Sequence, residues 1–279
     1  MSAHIAVVTD STSCLPAHLA TQWRIGVVQV QLQVGDQTDD EHRFDRGRLV
    51  EAMKAGTPVS TAPPDPGAFF WTYQDAASAG ASAIVSLHIS GRLSDTVQSA
   101  REAAQQVRIP VHILDSGTSS MSLGFAAVSA ARVAGAGGQL IRVLDAAERR
   151  VRASTELIYV DTLEYLRRSG RIGAAQSMLG SALSIKPLLT VRNGEVSPLA
   201  RVPGTKRAMN RLVDLAAKAA GDQQVDLAVT RFGSDEREVV RRLKERIPGA
   251  GDVLVGDAST VIGAHVGPGA LSITVSPVN

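Results

Sequence analysis

IVSLHISGRLSDTVQSAREAAQQV, residues Ile84–Val107, opens on apolar residues and alternation, the pattern of a buried strand. Ser90, Gly91 and Ser94 follow. A helical pattern then begins, with Ser94 expected as its N-cap and Asp95 and Thr96 in its first turn. A strand that runs through a Ser/Gly loop into a helix leaves backbone N–H groups unpaired at the end of the loop. The helix dipole adds partial positive charge there, so the junction suits a small anion. An ordinary capped strand–helix junction reads the same way, and the rest of the chain decides between the two.

The same unit occurs on both sides of this stretch. Ile5–Val8 is a short apolar strand followed by Thr9-Asp10-Ser11-Thr12-Ser13, with Pro16 where a helix can start. Val111–Leu114 runs into Asp115-Ser116-Gly117-Thr118-Ser119-Ser120 and the small-residue helix Leu123–Ala134. This alternation predicts an α/β fold: a Rossmann-like parallel sheet with flanking helices and polar loops gathered at the carboxyl ends of its strands, where such folds place ligands. Between the first two units, Val27–Val34 reads as a strand, and Gly35-Asp36 with Asp39-Asp40-Glu41 as a solvated turn. With His42 that acidic run has metal-ligand chemistry, but no second ligand cluster supports it, and no metal site is assigned. Phe44–Ala55 and Phe69–Ala79 read as helices. Between them Thr57–Gly67 holds four prolines and reads as a stiff loop. It presents the Ser60 and Thr61 hydroxyls, either as punctuation or as the wall of a binding site.

Gly135-Ala136-Gly137-Gly138 breaks the chain before the amphipathic helix Leu140–Val151, and then the pattern changes. Leu157–Val160 is a strand; Thr162–Arg168 and Ala174–Leu183 read as helices. Leu188–Arg192 and Glu195–Val202 alternate around Asn193-Gly194, a strong hairpin signal. Lys206–Ala220 is a helix, Leu227–Thr230 a strand, Asp235–Ile247 a helix and Val253–Val255 a strand. Val261–His265 leads through Gly267-Pro268-Gly269 into a final strand, Leu271–Val275. The expected organisation is two domains, residues 1–152 and an α/β domain with a mixed sheet over 153–279, with a ligand cleft between them.

Composition narrows the function. The 279 residues are 44% hydrophobic and 20% charged, which is globular. Only 4% are aromatic and the net charge is +2, so nucleic acid is not an expected partner. The arginine-rich runs Glu148–Arg152 and Arg237–Arg246 read as solvated helix faces. Cys14 is the single cysteine, so no internal disulfide forms and a reducing compartment is expected. MSAHIAVVTD is not a signal peptide, and no stretch approaches the roughly 20 apolar residues of a membrane span, which points to a soluble cytoplasmic protein. Phosphate-loop, dinucleotide, G-x-S-x-G and H-E-x-x-H signatures are absent, so neither a cofactor nor a catalytic centre is expected. Ser94, His265 and Asp10 form a Ser–His–Asp set on paper, as residues of any chain this long do. His265 lies among glycines in Gly263–Gly269, and Arg171 sits between Gly170 and Gly173. Glycines permit close approach, and a guanidinium suits a carboxylate or phosphate.

Six segments in order carry a resemblance: Val8-Thr9-Asp10-Ser11-Thr12, Thr61–Gly67, Ser90–Ala100, Asp115-Ser116, Leu163–Ile172 and His265–Gly269. Almost end to end, the chain resembles the DegV family of bacterial fatty-acid-binding proteins, which includes the FakB subunits of fatty acid kinase. The resemblance implies one long-chain fatty acid held between two domains, with Thr61 and Ser94 on its carboxylate and His265 close by. It brings Ser60, Ser90, Gly91, Arg171 and Arg201 in as candidates for the head-group mouth or a partner. The chain departs from the family pattern where Ala62 and Pro63 replace Ser-Gln, Gly91 replaces a Ser and Asp95 replaces a Gly. The basic run Arg201–Arg207 is also thin.

The implied role is a carrier that presents the carboxylate to a separate ATP-dependent kinase, for phosphorylation to an acyl-phosphate that enters phospholipid metabolism, with transient membrane contact. The energetics suit such a division. Burying a methylene is worth about 0.8 kcal/mol, so some fourteen offer roughly 11 kcal/mol before costs, whereas each hydrogen bond to the carboxylate adds about 1.5–3 kcal/mol. The tail supplies affinity and the hydroxyls fix orientation. Leu123, Ala126, Ala127, Met178, Leu179 and Ile185 are candidates for the tunnel wall or for ordinary core. Two alternatives stand beside the carrier: a serine hydrolase acting on acyl esters through Ser94 and His265, and a binder of another anionic lipid.

Overall fold

A computed structural model describes residues 4–180 and 184–278. The chain runs β1 (Ile5–Asp10), α1 (Ala17–Gln22), β2 (Ile25–Val28), β3 (Gln31–Val34), β4 (Gln37–Asp40), α2 (Arg46–Lys54), β5 (Val59–Ala62), α3 (Pro66–Ser78), β6 (Ala83–His88), α4 (Thr96–Ala104), β7 (Val111–Asp115), α5 (Ser120–Gly135) and α6 (Leu140–Ala153). It continues through β8 (Thr155–Tyr159), α7 (Glu164–Arg168), β9 (Ile185–Arg192), β10 (Glu195–Pro203), α8 (Thr205–Ala220), β11 (Val225–Phe232), α9 (Arg237–Arg246), β12 (Leu254–Asp257), α10 (Thr260–Val266) and β13 (Ala270–Pro277).

The strands β2-β1-β6-β7 form a wholly parallel sheet. Helices α5 and α6 pack on one face, α3 and α4 on the other. A strand covered on both faces needs apolar residues without alternation, and every residue of β6 is buried. The polar loops after β1, β6 and β7 therefore open at one end of the sheet, as the repeated strand–loop–helix pattern predicts.

The second sheet, in the order β10-β9-β8-β13-β11-β12, is mixed; only β11 and β12 run parallel. Helices α8 and α9 cover one face over Leu157, Tyr159, Leu227, Val229 and Ile273. Because side chains alternate, Ile158, Leu189, Phe232 and Ala270 point the other way. There they join Val30, Leu32, Leu49 and Met53 from the N-terminal half of the chain, and Val261 and Ala264 of α10. A small antiparallel sheet, β4-β3-β5, carries part of this wall. The β9–β10 turn is built by Asn193 and Gly194, both at positive φ (52° and 81°), as a two-residue hairpin of this twist requires.

Three local expectations are corrected. Val27–Val34 is two strands in different sheets, broken at Gln29-Val30, where the Val30 N–H donates to the Ser11 hydroxyl at 3.0 Å. Thr57–Gly67 is not all loop, since β5 lies inside it and pairs with β3. The acidic run is not a solvated turn throughout, because Glu41 is buried and bonded to the start of α10. In the region expected to be the helix Ala174–Leu183, Gly173–Met178 is a tight 3₁₀ turn; the last three positions of that expectation lie outside the described residues.

Candidate functional site

A cavity opens on the face of the six-stranded sheet that turns away from α8 and α9. Thr61, Leu93, Ser94, Arg171 and His265 line one part of it. Ile158, Leu166, Val191, Phe232 and Val261 form its apolar wall. Water-sized spheres can be centred in about 80 Å³ of it, and counting all empty space out into solvent gives about 860 Å³. Leu123, Ala126 and Ala127 do not contribute to this wall; they are core residues beneath the parallel sheet. Met178, Leu179 and Ile185 edge a separate depression beside Arg201. The wall comes instead from β-strand positions of the second sheet, whose alternation places one residue in two on the cavity, together with Leu166 of α7 and Val261 of α10.

At the polar head, Thr61 on β5 meets His265 on α10, with Oγ1 to Nε2 at 2.8 Å. His265 is the next-to-last residue of α10. Burial first, and the Arg171 charge second, hold its pKa down at about 4, so the imidazole is neutral at pH 7. His265 Nδ1 is buried with no hydrogen-bond partner. An unpartnered lone pair is less costly than an unpartnered N–H, so the proton belongs on Nε2 and is donated to Thr61. The Thr61 hydroxyl hydrogen is then free to point at an anion. Arg171 is anchored from two loops: Nε donates to the Leu93 carbonyl, in the loop after β6, at 3.3 Å, and Nη1 to the Ser169 carbonyl of its own loop at 2.7 Å.

Ser94 reaches the cavity but is not the helix N-cap. The helix starts at Thr96 with Asp95 at the cap position. The Ser94 hydroxyl shares a 2.8 Å hydrogen bond with the Thr96 hydroxyl and receives the Thr96 N–H at 3.4 Å. Thr61, Ser94, Arg171 and His265 thus converge on one space from four segments far apart in sequence.

The remaining candidates lie elsewhere. Ser60 faces away from Thr61 on the same strand and donates to Gln33 Oε1 at 3.1 Å. Ser90 is buried and donates to the Gly194 carbonyl at 2.8 Å. Arg92 adds an ion pair to Glu195 and a bond to the Asn193 carbonyl at 3.3 Å, so the loop after β6 is clamped onto the β9–β10 turn. The Gly91 N–H donates to both Asp115 carboxylate oxygens at 3.1 Å, and a Cβ there would lie 2.8 Å from one of them. Arg201 donates to the Ser177 carbonyl. The paper triad does not assemble. Asp10 is engaged by the Thr12 N–H, the Ile89 N–H at 3.0 Å and His88 Nδ1 at 3.1 Å, within a buried chain that continues through Ser86 to Tyr73.

Two buried carboxylates escaped the sequence reading. Glu41 Oε2 accepts from the Ser259 hydroxyl at 2.6 Å, the Thr260 hydroxyl at 3.0 Å and the Val261 N–H at 3.1 Å, pinning the start of the helix that bears His265. Glu156 on β8 lines the cavity. Its Oε2 accepts from Ser122 at 2.9 Å and Thr274 at 2.7 Å. The signal for Glu156 was a lone charge inside the apolar run Thr155–Val160, which the expected strand Leu157–Val160 stopped short of.

Among the described residues there is no cluster of three or more His, Cys, Asp or Glu set to hold a metal. No described helix is long and apolar enough to cross a membrane.

Comparison with known proteins follows from this geometry. Residues 4–278 match the family model described as "Uncharacterised protein, DegV family". A DegV domain-containing protein of Streptomyces coelicolor is 43% identical, covering 99% of both chains. Among solved structures, a DegV family protein from Thermus thermophilus, described by its fatty acid binding, superposes with a TM-score of 0.91 at 30% identity over 99% of this chain and 100% of that one. DegV of Bacillus subtilis, described as a fatty acid binding protein, gives a TM-score of 0.89 at 28% identity, again over 99% and 100%.

Proposed function

This chain belongs to the DegV family, and on that premise we propose that it is a carrier that encloses one long-chain fatty acid in the cavity beside its mixed sheet. Thr61, Ser94 and His265 receive the carboxylate, with Arg171 supplying positive charge at the same end. The observation that carries this reading is the Thr61–His265 pair, a neutral donor array at the head of a cavity with a long apolar wall. A hydroxyl oriented by a neutral imidazole is preorganised for an anion, and the apolar wall takes the chain. Two relatives with the same fold are described as binding fatty acids, which supports the ligand class.

The finer role follows from the chemistry of a bound acid. Among the described residues the Ser94 hydroxyl bonds the Thr96 hydroxyl and Asp10 bonds His88, which supports a head that holds a carboxylate. A carrier of this kind presents the carboxylate to a separate ATP-dependent kinase, which forms the acyl-phosphate for phospholipid synthesis. The test is extraction of protein purified from cells followed by mass spectrometry. One equivalent of fatty acid per chain is expected, and chain purified without any fatty acid that also fails to take one up refutes the reading. Incubation with a kinase-containing lysate and ATP should convert the bound acid to acyl-phosphate; absence of conversion refutes the kinase step alone.

A further inference from the structure

The cavity is not apolar throughout. Besides the Thr61–His265 head, it is lined by Thr12, Ser120, Glu156, Thr230 and Ser272. Glu156 is 3% exposed, and while Oε2 takes two hydroxyl hydrogens, Oε1 is buried with no hydrogen-bond partner. Thr230 and Ser272 share a 2.7 Å bond on neighbouring strands, and Ser120 stands 3.4 Å from Thr230. A saturated hydrocarbon chain offers these groups nothing, and an unsatisfied buried oxygen is unfavourable, more so when charged. A cavity that took only plain acyl chains would be better lined by valine or leucine at position 156.

We infer that the cavity accommodates an acyl chain carrying a hydroxyl group along its length, which hydrogen-bonds Glu156 Oε1 while the carboxylate sits at Thr61 and His265. A hydroxyl is the substituent that fits Oε1 in either protonation state, since it donates to a carboxylate and accepts from a carboxylic acid. Burial raises the Glu156 pKa, with Thr274, Ser272, Ser122 and Ser120 opposing it. The surrounding hydroxyls of Ser120, Thr230 and Ser272 can take the remaining lone pair. The inference rests on the fatty-acid reading and narrows its ligand class to hydroxylated fatty acids.

The experiment uses the delipidated full chain and displacement of a fluorescent fatty acid by stearic acid and by monohydroxystearic acids with the hydroxyl moved along the chain. At least one position should bind about tenfold or more tighter than stearic acid. Glu156→Gln should keep that ratio, because its amide still bonds a hydroxyl and its oxygen still accepts from Ser122 and Thr274. Glu156→Leu should abolish it. Stearic acid binding with no hydroxyl position favoured, as expected if a buried water serves Oε1, overturns this inference and leaves the carrier standing. The same ratio in Glu156→Leu also overturns it. Failure of every fatty acid to bind overturns both.

Discussion

Thr61 Oγ1 stands 2.8 Å from His265 Nε2 although 204 positions separate the two residues. The contact joins β5, a strand of the small antiparallel sheet, to the last turn of α10. It brings the two halves of the chain to the head of one cavity, and with the proton on Nε2 it leaves the hydroxyl hydrogen of Thr61 free for an anion.

Thr61→Val keeps the shape of the side chain and removes that hydrogen. A hydrogen bond to a charged group contributes about 1.5–3 kcal/mol, so fatty-acid affinity should fall roughly tenfold to 100-fold. A methyl ester of the same acid, which has no carboxylate to lose, should bind the variant and the native chain alike. Displacement titration measures both, and equal affinity of the acid for the two proteins would show that Thr61 does not hold it.

The low pKa of His265 has a defined sign. Its folded value of about 4 lies below the ordinary 6.5, so between these the unfolded chain binds the proton and the folded chain does not. The contribution to stability is complete above pH 6.5 and declines as pH falls towards about 4. His265→Asn should therefore lose less stability than the native chain over that interval, measured by urea unfolding at stepped pH. The ring resonances of His265 should also titrate with a midpoint near 4, rising in Arg171→Gln as the neighbouring charge is removed. A midpoint near 6.5 in the native chain would contradict the burial argument.

Glu41 holds the other end of α10. Glu41→Ala leaves the Ser259 hydroxyl and the Val261 N–H without their buried acceptor, while the Thr260 hydroxyl keeps the Glu41 carbonyl at 3.1 Å. The expected loss is on the order of 3 kcal/mol, with Glu41→Gln intermediate, read from the denaturation midpoint. Because α10 carries His265, fatty-acid affinity should weaken in parallel with stability across the two variants. An alanine variant as stable as the native chain would remove Glu41 from this role.

What was legible in the sequence follows from how far each interaction reaches. The parallel sheet was readable because each strand–loop–helix unit is local and its period changes in place, as Ile84–Val107 displays. The hairpin at Asn193-Gly194 was readable because only certain residues adopt positive φ at both turn positions. Thr61, Ser94, Arg171 and His265 were legible through motif resemblance, and the structure brings them together. Glu41 read as solvated because its partners lie more than 200 positions away. Val27–Val34 read as one strand because nothing in its alternation marks the change of sheet. Leu123, Ala126 and Ala127 stayed open between tunnel wall and core because small apolar residues of a helix under a sheet have the same composition as those facing a cavity, and the structure places them in the core. Only the pairing of β8 with β13 and β9 shows which face Ile158 and Glu156 share.

Ser90 and Gly194 provide the last discrimination, between a residue of the head group and a clamp between the halves. The Ser90 hydroxyl donates to the Gly194 carbonyl at 2.8 Å, and a Cβ on Gly194, which sits at φ 81°, would lie 2.6 Å from that hydroxyl oxygen. Ser90→Ala leaves a buried carbonyl unmet and should lower stability by about 1–2 kcal/mol. Gly194→Ala adds the strain of a left-handed backbone and the steric overlap, and should lower it further. A clamp acts on the folded state, so the acid-to-methyl-ester affinity ratio should stay at its native value in both variants, whereas it collapses in Thr61→Val. A fall of that ratio in Ser90→Ala would place Ser90 at the carboxylate instead.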